Sequence, residues 1–201
     1  MVSHVYKKGQ VIFRAGMYPN GIFLLDKGKV KKYTLGDDGK QHIFTICIAG
    51  QALGYHSLLS EEPYPDYAET LEDSTISFVP KEGFMKLLEE SKQLSQKLLK
   101  SLSHEFTVFI NSTTVFAQKT VRERLALALL LLKERYTVQN DQKTPVEITI
   151  SREDLSNIVG TAIETLVRLL HDFKEDKIIE TKGRMIRILQ PHKLAKIANF
   201  Y

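Results

Sequence analysis

Ser151-Arg152-Glu153-Asp154-Leu155-Ser156-Asn157-Ile158-Val159-Gly160-Thr161-Ala162-Ile163-Glu164-Thr165-Leu166-Val167-Arg168-Leu169-Leu170 is the run that decides the fold. A hydroxyl at Ser151 and a carboxylate at Asp154 fit an N-terminal capping box. Leu155, Ile158 and Val159 then give a short helix one apolar face. Gly160 stands where the chain must turn sharply, because glycine takes positive φ without steric cost. Thr161 and Glu164 repeat the box pattern and predict a second helix over 162–175. Two capped helices across a glycine turn form the helix-turn-helix layout, which presents its second helix to the DNA major groove.

That second helix has two faces. Leu166, Leu169, Leu170 and Phe173 recur at three and four residues and form the buried stripe. Ile163, Glu164, Val167 and Arg168 form a separate outward face. A carboxylate can accept from cytosine N4, and a guanidinium can fork onto guanine O6 and N7. Alone, Glu164 and Arg168 read better as an i,i+4 salt bridge, worth a few tenths of a kcal/mol. The continuation reverses that balance. Ile178–Thr181 and Met185–Leu189 read as strands joined at Lys182-Gly183-Arg184, a basic hairpin turn that can reach phosphate. Helix-turn-helix plus cationic hairpin is a winged helix, far more specific than either half.

Bulk properties narrow the field. A chain of 201 residues holds one large or two small domains, and 43% hydrophobic with 26% charged residues is an ordinary globular composition. Residues 1–118 carry 13 Lys/Arg and 13 Asp/Glu, residues 119–201 carry 15 and 11, so the net charge of +4 lies in the winged-helix part. Leu125–Leu132 is too short for a membrane span, and the start of the chain lacks an apolar signal region, so a cytoplasmic protein is expected. The single cysteine, Cys47, excludes an internal disulfide and the usual cysteine cradle of an iron–sulfur cluster.

Upstream, residues 5–80 read as short glycine-punctuated strands: 9–13, 21–25, 29–33, 41–48, 68–71 and 75–79, with a hairpin at Asp37–Lys40. The pattern turns helical at Lys81–Glu90 and again over about 92–117. In the longer helix Leu99, Leu102, Phe106, Phe109, Thr113 and Phe116 alternate steps of three and four, the seam of a dimer interface. Leu98, Ile110 and Val115 add a second strip, which suits packing on the helix's own barrel. Thr120 can cap the next helix, Val121–Tyr136, whose all-round apolar middle belongs in a core. A polar loop at 137–144 and a strand at 146–150 lead into the helix-turn-helix.

In this order the elements resemble the cyclic-AMP receptor protein/Fnr superfamily of bacterial transcription regulators, over essentially the whole chain. Lys8–Gly16 is similar to the family's opening strand, Ala49–Gly54 to its glycine-bounded turn, Arg122–Ala126 to the start of the helix after the dimer helix, and Glu164-Thr165-Leu166-Val167-Arg168 to its E-T-x-x-R recognition core. The resemblance implies an α+β fold: a cyclic-nucleotide-binding-like β-barrel (double-stranded β-helix or jelly roll) at 1–90, a dimerisation helix at 91–118, and a winged helix-turn-helix at 119–201. It further implies a homodimer on two-fold symmetric DNA, TGA-type half-sites read by Glu164 and Arg168, and Ile163 near a thymine methyl. Phosphate contacts would come from Arg152, Thr161, Thr165, Lys182 and Arg184, and RNA polymerase would be a partner.

Departures from the family pattern are equally informative. Cyclic-AMP-binding members carry a ribose-binding Glu where this chain has Tyr55, and an Arg–Ser pair on the cyclic phosphate where it has Pro63-Tyr64-Pro65-Asp66-Tyr67. A carboxylate repels a phosphodiester, and no cation replaces the missing Arg. Cyclic AMP is not expected. Ile163 favours the Fnr-like branch, which has Val there, yet the N-terminal cysteine cluster of Fnr is missing and the helix that usually precedes the barrel is short or absent. The family-type pocket would be lined by Gly54, Tyr55, His56, Ser57, Tyr64, Tyr67, Phe109 and Ile110, too aromatic for a cyclic nucleotide and equally readable as packed core.

His42, Cys47 and His56 match no ligand spacing, so ordinary structural roles outweigh a metal or haem there, and no cofactor is predicted. Cys47, with no adjacent cation, reads as an apolar filler. No hydrolase triad, HExxH or phosphate-binding loop points to an enzyme. The competing readings are a nucleotide- or haem-dependent sensor of the same family and an interaction dimer that binds no DNA.

Overall fold

A computed structural model describes residues 2–137 and 146–199. The chain divides into two compact units, 1–110 and 111–201. The break falls inside the long helix, so the segment expected at 91–118 is shared between the units.

In the first unit, β1 (Val2–Tyr6), β2 (Val11–Phe13), β3 (Gly21–Lys27), β4 (Lys29–Leu35), β5 (Gln41–Ile48) and β6 (Ala52–Leu53) precede a short helix, α1 (Tyr55–Ser60). β7 (Tyr67–Thr70), β8 (Ser74–Pro80) and α2 (Lys81–Glu90) follow. The strands make two antiparallel four-stranded sheets, in the orders β1-β8-β3-β6 and β2-β7-β4-β5. Phe13, Leu25, Val30, Cys47, Leu53, Ala68 and Ile76, drawn from both sheets, share one buried cluster, so the core lies between them as in a jelly roll. Cys47 is part of it.

Three elements of this unit escaped the sequence pattern. β1 is an edge strand paired only to β8 and exposed along nearly all its length, so it shows no alternation. β6 has two residues and α1 six, too short for a periodic signal.

α3 (Lys92–Gln118) has 27 residues, about 40 Å of helix at 1.5 Å per residue. Leu98 and Leu102 pack against Ile22, Tyr55, Leu58 and Phe84 of the β unit. Leu102 therefore leaves the expected dimer seam: one turn beyond Leu98, it shares that stripe. Leu99, Phe106 and Phe109 remain 64%, 64% and 68% exposed, and Thr113 and Phe116 are exposed too. Ile110, expected to pack with Leu98, is also exposed.

The second unit contains α4 (Val121–Thr137), β9 (Glu147–Thr149), α5 (Arg152–Val159), α6 (Ile163–Glu175), β10 (Ile179–Lys182), β11 (Met185–Ile188) and α7 (Pro191–Ile197). The expected loop lies outside the described residues apart from Thr137, which ends α4. Leu125, Leu129 and Leu132 of α4 are buried, but Leu131 is 48% exposed. Not every apolar side of α4 is core: Leu131 borders a groove lined with Leu127, Leu130, Pro191 and Ala195. Among the described residues no helix is long and apolar enough to cross a membrane.

Candidate nucleic-acid interface

α5 starts as its sequence requires. Ser151 Oγ accepts the Asp154 N–H at 2.9 Å and donates to the Asp154 carboxylate at 2.5 Å. The helix ends at Gly160 (φ 68°), where the N–H groups of Gly160 and Thr161 both donate to Ser156 O, at 2.9 and 3.1 Å. A Cβ at Gly160 would stand 2.8 Å from a ring carbon of Phe116, so a side chain here would strain the backbone and also force that ring aside.

The expected box at Thr161 does not form. The turn draws Thr161 inward, where it is buried, and leaves Ala162 at the N-cap of α6 with no side-chain bond. A reciprocal box forms at Thr120 instead. Thr120 N–H donates to Glu123 Oε2 at 2.7 Å, and Glu123 N–H returns a 3.4 Å bond to Thr120 Oγ1. The Thr120 bonds hold the Glu123 carboxyl below the usual carboxylate range.

α6 separates its faces cleanly. Leu166, Leu170 and Phe173 are buried and Leu169 half-buried. On the other side Ile163 and Val167 are 43% and 48% exposed, with Glu164 and Arg168 also exposed and Thr165 half-buried. Beyond α6, β10 and β11 pair antiparallel with Lys182 opposite Met185, and Gly183 (φ 57°) begins the turn. Lys182 and Arg184 are exposed at its tip. Arg187, opposite both Glu180 and Glu147, bonds them at 3.3 and 2.5 Å and ties the three strands β10-β11-β9 together. That bond to Glu147 raises the Arg187 pKa, so this cation is committed to the sheet.

A clasp that the sequence did not reveal sits behind the turn. Arg124 donates to Val159 O at 2.9 Å, Gly160 O at 3.1 Å and Lys119 O at 2.9 Å, while its guanidinium lies 5.3 Å from the Phe116 ring centroid. Arg122 faces Phe173 and pairs with Asp172 and Asp176. All of these acceptors except Lys119 O are distant in sequence, so no local spacing signals them.

The residues expected around an effector pocket fall differently. Tyr55 and Tyr64 are both buried in core clusters, Tyr64 stacked on Phe13 at 4.0 Å between centroids. At Gly54 (φ 79°) a Cβ would meet the Tyr64 ring at 2.9 Å. Tyr67 is half-buried and stacks on Tyr33 at 5.1 Å. Burial pushes the Tyr64 phenol up to about 12, and burial followed by the Glu105 bond raises that of Tyr55. Tyr55 donates that hydrogen bond to Glu105 of α3. Phe109 and Ile110 are exposed on α3 outside both clusters.

Asp66 is 2% exposed and its carboxylate lies 3.0 Å from Lys32 Nζ and 3.8 Å from His56 Nε2. A cation therefore does reach this stretch, contrary to expectation: Lys32 comes from β4, too far along the chain for local sequence to reveal, and Asp66 already neutralises it. Burial, and then Lys32, lowers the pKa of His56. Ser57 Oγ is buried without a hydrogen-bond partner. Among the described residues, no group of three or more His, Cys, Asp or Glu is placed to hold a metal ion.

A jelly-roll unit joined through one long helix to a winged helix-turn-helix defines a class of two-part regulators. The cyclic nucleotide-binding domain profile matches residues 3–91, and the Crp-like helix-turn-helix profile matches residues 123–197. The fumarate and nitrate reduction regulatory proteins of Vibrio cholerae and Escherichia coli K12 are each 28% identical over 192 residues, covering 96% of this chain and 76% of theirs. FixK2 from Bradyrhizobium japonicum has a similar structure, with TM-score 0.85 and 22% identity over 98% of this chain and 96% of its own. A CRP/FNR-family transcriptional regulator from Thermus thermophilus gives TM-score 0.81 and 19% identity, covering 98% of both chains. The chain belongs to the cyclic-AMP receptor protein/Fnr superfamily and is a transcription regulator with a helix-turn-helix DNA-binding domain.

Proposed function

We propose that the protein is a cytoplasmic homodimer that reads two-fold symmetric DNA with TGA-type half-sites and acts with RNA polymerase. The carrying observation is the outward face of α6, where Ile163, Glu164, Val167 and Arg168 stand exposed over a fully buried Leu166 and Phe173. Glu164 accepts from cytosine, Arg168 forks onto guanine, and Ile163 lies against a thymine methyl. Thr165, Lys182 and Arg184 supply phosphate contacts. The exposed Leu99, Phe106 and Phe109 support pairing of α3 about a two-fold axis, about 34 Å being the corresponding spacing of recognition helices.

No cyclic nucleotide, haem or metal is part of this reading. Tyr64 packs where Gly54 would otherwise leave room, and Lys32 is spent on Asp66. Regulation then rests on another small molecule or on the protein's abundance. The test is a mobility shift on TGA-type palindromes with and without nonspecific competitor. The Arg168→Ala variant should lose about 1–3 kcal/mol of discrimination at one base position. Equal weakening on all sequences would remove Arg168 as a base reader, and no shift at low salt would favour an interaction dimer.

A further inference from the structure

Arg152 opens α5, although a cation there faces the unfavourable end of the helix dipole. It is half-buried, and burial draws its pKa below the ordinary value. Its Nη2 donates to Gly183 O at 3.0 Å, whereas Nη1 is sealed from solvent with no hydrogen-bond partner. On the other side of the cap residue, the Ile150 N–H donates to Arg184 O at 3.2 Å. The two residues flanking Ser151 thus hold both carbonyls of the wing turn. Pairing of Met185 with Thr149 continues the attachment along the sheet.

We propose that Arg152 is a positioning residue for the wing. It fixes Gly183 and Arg184 against the start of α5, so that Lys182 and Arg184 meet the DNA backbone at a set distance from the reading face of α6. A direct phosphate contact favours a free guanidinium edge, and here Nη1 is sealed from solvent while Nη2 already holds Gly183 O with one of its two N–H groups. The inference rests on the DNA-binding reading for its consequence, but the placement itself is testable without DNA.

The full chain is compared with Arg152→Met, which keeps a long apolar stem, and Arg152→Lys, which keeps charge but loses the planar fork. In free protein, amide hydrogen exchange at residues 182–185 should quicken about tenfold in Arg152→Met while the α6 amides stay protected. Unchanged exchange there would overturn the placement. On a duplex, Arg152→Met should weaken binding in the parent background and add nothing to a Lys182→Ala/Arg184→Ala variant. Arg152→Lys should leave the wing amides as exposed as in Arg152→Met. Full additivity, with the salt slope falling by about 1 on loss of Arg152 even without the wing cations, would make Arg152 a phosphate ligand instead. Failure of the parent to bind any duplex would remove the DNA-binding reading, and the exchange result would still decide the placement.

Discussion

The two units spend their polar groups in opposite ways. In the β unit Lys29, Lys31 and Lys32 of one strand are largely covered and meet Glu72, Glu69 and Asp66 at 2.9, 3.3 and 3.0 Å. In the winged helix Glu164, Arg168, Lys182 and Arg184 stand in solvent. Paired buried charges satisfy their own chain and offer little to a ligand, because displacing a partner leaves an uncompensated charge. Exposed groups on a rigid helix are available at no such cost. The contrast leaves the polar groups of the second unit open to an outside molecule, whereas the lysines of β4 in the first are already paired.

The largest challenge to that contrast is Lys32→Met. Removing one partner strands the 2%-exposed Asp66 carboxylate and should cost about 3–5 kcal/mol of stability. Denaturant unfolding measures it, and joint replacement with Asp66→Leu should recover most of the loss. If Lys32→Met is neutral, the pair is not self-contained and a ligand site there regains merit. Next in size, Phe106→Glu places a charge in the proposed dimer seam. Sedimentation should report monomers, and DNA affinity should drop about a hundredfold as the two half-sites uncouple. An intact dimer would move the seam elsewhere on α3.

Smaller effects refine the recognition side. Ile163 and Val167 expose β-branched apolar surface one turn apart. Replacing a contacted thymine by deoxyuridine deletes one methyl, worth about 0.8 kcal/mol or fourfold in affinity. Fluorescence anisotropy on singly substituted duplexes should find this at one or two positions per half-site, and a flat profile would remove the apolar readout.

The smallest effect concerns His56, whose charged form burial and Lys32 disfavour, against the opposing pull of Asp66 and Glu105. A histidine pKa lowered on folding leaves stability unaffected above the unfolded value of about 6.5 and erodes it as pH falls towards the folded value. His56→Gln should flatten the melting temperature between pH 7 and 5 relative to the parent. An identical pH slope in both would clear His56 of any part in it.

Much of the architecture was legible because the decisive signals are local. The stripe Leu166–Phe173, the cap at Ser151 and the turn at Gly160 each lie within a few residues of their partners. The hairpin of β10 and β11 is likewise local. What stayed hidden depends on distance along the chain. Lys32 meets Asp66 from another strand, Arg124 clasps carbonyls of Val159 and Gly160, and β1 gains its identity only from pairing with β8. Thr161 and Thr120 carry the same local pattern. Only the inward draw of the turn decides which of them caps a helix.

Gly160 and Phe116 also bear on how this chain can diverge. Two separate barriers guard position 160: a left-handed backbone, which asparagine tolerates better than most side chains, and an aromatic ring 2.8 Å from any Cβ. Either barrier alone leaves some neighbouring sequences open. Together they couple the two sites, so that a side chain at 160 requires the Phe116 ring to move or a smaller residue at 116. The end of the long helix and the start of the reading head are thus tied to each other's side-chain size through one ring and one missing methyl.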